Sequence, residues 1–112
     1  MKARAVADLG LAETALPLWA AAAGYEERIA PLLGALGRHL EAAIHRISAA
    51  SCYQKAGDLS RAANLYQAAL AGPLRANTRR DVRAMFAACL EELSHTAVNG
   101  SSQASGMAPA RP

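Results

Sequence analysis

The sequence predicts an all-α fold, on three observations. Hydrophobic residues make up 53% of its 112 positions, yet only five are aromatic (one Trp, three Tyr, one Phe). The remainder is dominated by alanine and leucine, which favour helix over sheet. β-branched residues are scarce, and no run alternates apolar with polar residues as a half-buried strand would. A chain of this length forms one domain with a modest core.

In chain order, Met1 to Ala23 reads as helix, with Val6, Leu9, Leu16 and Trp19 along one side. Lys2 and Arg4, followed later by the apolar run 16–23, have the outline of a signal peptide. Asp8 and Glu13 stand where its apolar segment should begin, so that reading is rejected. No apolar run reaches the roughly 18 residues needed to span a bilayer. A soluble, cytoplasmic protein is expected, without membrane contact.

Two readings of the next segment stay open. In one, a helix starts at Pro31, a residue suited to a first turn, and continues to Ala56. Leu33, Leu36, Leu40, Ile44, Ile47 and Ser51 would then form a single stripe. In the other, the chain turns near Gly37-Arg38, because Gly34 and Gly37 both weaken a continuous helix. The balance favours the turn.

The stretch from Ala43 to Leu74 carries the clearest signal. Ala49, Ala50 and Tyr53 fall on one side of a first helix, and Ala62, Tyr66 and Ala69 on one side of a second. Small residues facing large aromatic ones let two antiparallel helices approach closely and interlock. Gly57 supplies a left-handed helix end, and Asp58 caps the helix that follows. Ala71-Gly72-Pro73 then breaks the chain, and Asn77 or Thr78 caps a last helix running to about His95. Its stripe is Val82, Phe86, Cys89, Leu90 and Leu93, with Glu91 and Glu92 on the other side. A polar outer face suits the end of a helical stack. The helical domain is placed at 1–96, followed by a tail at 97–112 of Gly, Ser, Ala and Pro, expected to be disordered from about Asn99.

These residues resemble the tetratricopeptide repeat, whose pattern W-x2-L-G-x2-Y, A-x3-F and a proline recurs at about 34 residues. With Tyr53 at the family's tyrosine, the repeat spans about 43–76, roughly a third of the chain. Ala49 and Ala50 take the Leu-Gly pair, Ala62 the alanine and Tyr66 the aromatic. Arg46 stands where an aromatic is common, and Pro73 comes one residue before the family's proline. Moved back by one period, the register suggests a degenerate repeat at Leu9–Ala42, aligning Trp19 with Tyr53 and Leu32 with Tyr66. Arg28 then takes the alanine position, and Pro17 and Pro31 fall within helices. The resemblance implies antiparallel helix hairpins of an α-solenoid with a C-terminal capping helix.

Chemistry is not visible. Cys52 and Cys89 fit no zinc or redox spacing and read as reduced, partly buried thiols. His39, His45 and His95 have no nucleophile or acid at a recognisable spacing, and there is no glycine-rich phosphate loop. Neither an enzyme nor a cofactor or metal is expected.

Two sets of residues are candidates for binding another protein. The resemblance implies that the first helix of the repeat lines a concave surface, with Ile44, Ile47, Ser48, Ser51 and Lys55 facing it. One subclass of the family grips a terminal carboxylate with lysine, arginine and asparagine at such places. Isoleucine and serine here argue instead for an apolar ligand, such as a partner's amphipathic helix. Ile44 and Ile47 would otherwise be core, covered by a neighbouring helix. The second set is Arg75, Arg79, Arg80 and Arg83, with a local charge of +3 after Asp81, equal to that of the whole chain. Arginines in a first helical turn oppose the helix dipole, a placement that an acidic partner would explain. A solvated face is the plainer account of them. No aromatic residue suited to base stacking lies nearby, so nucleic acid is the weaker version.

The expected function is a protein–protein adaptor or scaffold of the tetratricopeptide type. One alternative is a helical bundle serving homo-oligomerisation or assembly of a larger complex. Another is a regulatory domain that contacts nucleic acid through the arginines.

Overall fold

The computed structural model describes residues 12–107, and side chains over 15–97. The expectations for Val6 and Leu9, and for tail residues 108–112, lie outside the described residues. Among the described residues four helices follow one another, α1 Ala12–Ala35, α2 His39–Ala56, α3 Leu59–Leu70 and α4 Ala76–Met107. Each packs on the next in sequence, α1 on α2, α2 on α3 and α3 on α4.

The connections follow from three local signals. Gly37 has φ 78°, and the Arg38 amide donates to the Leu33 carbonyl at 2.9 Å, closing α1 in a left-handed turn. That turn excludes the single helix from Pro31 to Ala56. Gly57 repeats the device at the end of α2, with φ 90° and the Asp58 amide on the Tyr53 carbonyl at 2.9 Å. Asp58 then caps α3, its Oδ1 accepting from the Arg61 amide at 3.2 Å.

α1 departs from the repeat register. A turn at Ala23-Gly24, one period before Gly57-Asp58, is absent, and the helix runs through it with Pro17 and Pro31 inside. The alanine run 20–23 favours helix, which continues through Gly24. A Cβ there would lie 3.9 Å from the Tyr53 hydroxyl of α2 and 3.4 Å from the Arg28 guanidinium. Ala15, Ala23 and Ala30 are buried, and small residues at this spacing let α1 lie close to α2.

Ala49, Ala50 and Tyr53 of α2 and Ala62, Tyr66 and Ala69 of α3 are all buried. Trp19, Val82 and Cys89 extend the same cluster, and the rings of Tyr66 and Phe86 stack tilted with centroids 6.4 Å apart.

α4 differs from expectation at three points. It starts at Ala76, ahead of Asn77 and Thr78, with the Arg75 carbonyl accepting the Arg79 amide at 2.8 Å. Asn77 Oδ1 instead accepts the Thr78 amide inside the first turn, at 2.8 Å. Leu90, placed on the apolar stripe, is 43% exposed, while Val82 and Cys89 are buried. The helix is also longer, passing His95 and overlapping the expected tail as far as Met107. No proline stands between Pro73 and Pro109 to end it sooner.

Candidate binding cleft

Helical spacing puts Ile47, Ser48, Ser51 and Lys55 on the side of α2 away from Ala49, Ala50 and Tyr53. α1 and α4 rise beside that face. A cleft of ≈ 400 Å³ lies between Trp19 and Glu26 of α1, Met85 of α4, and Ile47, Ser48, Ser51, Cys52 and Lys55 of α2. A second, of ≈ 440 Å³, shares Ser51, Lys55 and Met85 and continues to Gln54, Tyr66, Ala88 and Glu92. Four of the five residues expected to face a groove therefore line these clefts. Ile44, one turn before Ile47, lines neither and is 47% exposed.

Polar contacts fix both walls. The Tyr66 hydroxyl donates to Gln54 Oε1 at 2.9 Å, and the Gln54 amide donates to Glu92 Oε1 at 2.5 Å, joining α3, α2 and α4. Burial first, and then the neighbouring Cys89 and Glu92, push the Tyr66 hydroxyl up to about 12. It is a neutral donor at any physiological pH. On the other wall, Glu26 holds His45 Nδ1 of α2. The Lys55 ammonium lies 4.5 Å from the centre of the Trp19 ring, a cation–π contact at the edge of the cleft. Burial pushes both the Cys52 and Cys89 thiols up, and the Cys89 thiol donates to the Leu59 carbonyl at 3.5 Å. Neither is poised as a nucleophile.

The arginine set is not one patch. Arg79 is half-buried, donating through Nη1 to the Leu70 carbonyl at 2.5 Å and through Nη2 to the Gly72 carbonyl at 2.8 Å. These are among the carbonyls left over where α3 ends. The placement that opposes the dipole of α4 is thus favourable to that of α3. Arg75, Arg80 and Arg83 are exposed, and Arg80 lies 3.6 Å from Asp81 in a solvated pair.

Trp19, Glu26, Gln54, Met85 and Glu92 were not anticipated as cleft residues. Trp19 and Tyr66 read only as core, and nothing in sequence signals that residues of α1 and α4 meet across α2. Among the described residues no group of three or more His, Cys, Asp and Glu could hold a metal ion. Nor is any described helix long and apolar enough to cross a membrane. No protein-family model, curated protein or solved structure matches the chain.

Proposed function

We propose that the chain is an interaction module of the tetratricopeptide type, holding a segment of another protein against the outer face of α2. The observation that carries this reading is the lining of the two adjoining clefts by Ile47, Ser48, Ser51 and Lys55. Apolar walls with a few convergent polar groups are what a recognition site needs. The serial packing of helices, and the glycine-ended α2 joined to an aspartate-capped α3, support the repeat-type reading. The test places a photoreactive residue at Ala88, exposed on the α4 side of the cleft, and in a second variant at Asn64, exposed on α3. A defined partner captured at position 88 and not at 64 is expected. Equal capture at both, or at neither, overturns the reading.

A second reading, self-association, is favoured by Leu32 and Leu36, which are 66% and 71% exposed on α1. Nucleic-acid contact has less support, since Arg79 is occupied by the end of α3.

A further inference from the structure

We infer that the segment held in the cleft is an amphipathic helix with lysine or arginine on both sides of its apolar stripe. The inference rests on the reading of the cleft as the partner site. Floor and walls are helices, whose backbone donors and acceptors are used internally. An extended segment would find no ladder to pair with, whereas a helix satisfies its own backbone. Ser48 and Ser51 keep the floor low between Trp19 and Met85, which leaves room for a large apolar side chain above Ser51.

Charge selects the flanks. Glu26 stands on the α1 wall and Glu92 on the α4 wall. Among the described residues neither is paired with arginine or lysine, although the chain has twelve such residues against nine acidic ones. Glu26 meets His45, and Glu92 accepts only from the neutral Gln54 amide. The ion pairs that arginines do make are Arg38–Glu41, Arg61–Asp58 and Arg80–Asp81, all away from the cleft. Lys55 stays over the Trp19 ring and joins neither carboxylate. Cationic flanks would meet an acceptor on each wall. Because the chain as a whole is net positive, this attraction is local and not long-range steering.

Trp19 is the only tryptophan and lines the cleft, so its emission reports occupancy. The full chain is titrated with two synthetic helical peptides sharing one leucine stripe, flanked by lysine in one and glutamate in the other. The lysine peptide is expected to bind about tenfold more tightly, as two short-range ion pairs against two repulsions would give. Glu26→Gln with Glu92→Gln should remove that preference, each glutamine keeping an amide oxygen as acceptor for His45 and Gln54 so that the fold is retained. Ser51→Phe, which fills the floor, should remove both bindings. Equal affinities, or preference for the glutamate peptide, overturn the cationic flanks and leave the partner-site reading standing. No response to either peptide, with photo-capture at position 88 intact, overturns the helical occupant but not that reading. If the peptide-free chain is a dimer that Ser51→Phe makes monomeric, a second copy fills the cleft and the inference fails.

Discussion

The Tyr53 hydroxyl donates to Glu27 Oε1 across 2.7 Å, tying α2 to α1. The ring is buried, with Arg61 of α3 on its other side, the guanidinium carbon 5.2 Å from the ring centre and Nη1 donating to the hydroxyl at 3.4 Å. One side chain thus serves three helices. Tyr53→Phe keeps the ring and removes the bond, leaving Glu27 to water that can reach it. We expect a loss of about 1 kcal/mol by urea unfolding. A midpoint equal to that of the parent chain would mean that the packing of the ring alone joins the helices.

Arg79 is expected to be structural. Arg79→Ala takes two charge-assisted bonds from the carbonyls of Leu70 and Gly72 and should cost about 1–3 kcal/mol. Arg83→Ala, on the exposed side of α4, should change stability by less than about 0.5 kcal/mol. The two melting temperatures, compared side by side, decide it. Equal shifts would place Arg79 back with its solvated neighbours.

The hairpin was legible because its signals are local. Gly57 and Asp58 act on their own backbone, and Ala62 and Tyr66 share a face by helical period alone. The degenerate repeat at Leu9–Ala42 is not met as a hairpin, because the alanine run 20–23 carries α1 through without a turn. The repeat resemblance placed Ile47, Ser48, Ser51 and Lys55 on one face, and these line the clefts of α2 while Ile44 does not. The walls were not legible, because Glu26, Met85 and Glu92 reach the cleft only through the angles at which three helices pack. Arg79 was misjudged by considering the dipole of its own helix and not that of the helix before it.

Ala62 is fully buried on α3, in the same core cluster as Tyr53. Ala62→Leu should overpack this contact and cost roughly 1–3 kcal/mol. Ala68→Leu, on the exposed side of the same helix, is the control and should be nearly neutral. Matching thermal midpoints for the two variants would remove the close approach of α2 and α3.

Alkaline pH should loosen the fold in a predictable order. A group whose folded pKa is raised contributes stability that is present below its unfolded pKa and lost as pH climbs through the folded one. Burial raises Cys52 and Cys89 from 9.0, so decline begins there. Tyr66, raised from 10.0 to about 12, adds a second decline across that interval. In Tyr66→Phe the melting temperature should fall less steeply between those two values, while the earlier decline is retained. An equally steep fall in both proteins would mean that folding does not raise the Tyr66 hydroxyl.

The exposed apolar side chains of α1 lead to the last expectation. Leu32 and Leu36 are one helical turn apart, 66% and 71% exposed, and so share a face that no described helix covers. On the repeat-type reading proposed above, a stack normally needs at least about three repeats to bury its faces, and the four described helices supply fewer. We therefore expect a dimer at high micromolar concentration, measured by light scattering. Leu32→Glu with Leu36→Glu should give a single-chain mass, since charges on such a face repel across a symmetric contact. Exposed substitutions of this kind change folding by no more than about 0.5 kcal/mol, so the melting temperature of the isolated chain separates dissociation from unfolding. A parent chain that is strictly monomeric and melts cooperatively would show that the face is tolerated in water and that self-association is not its use.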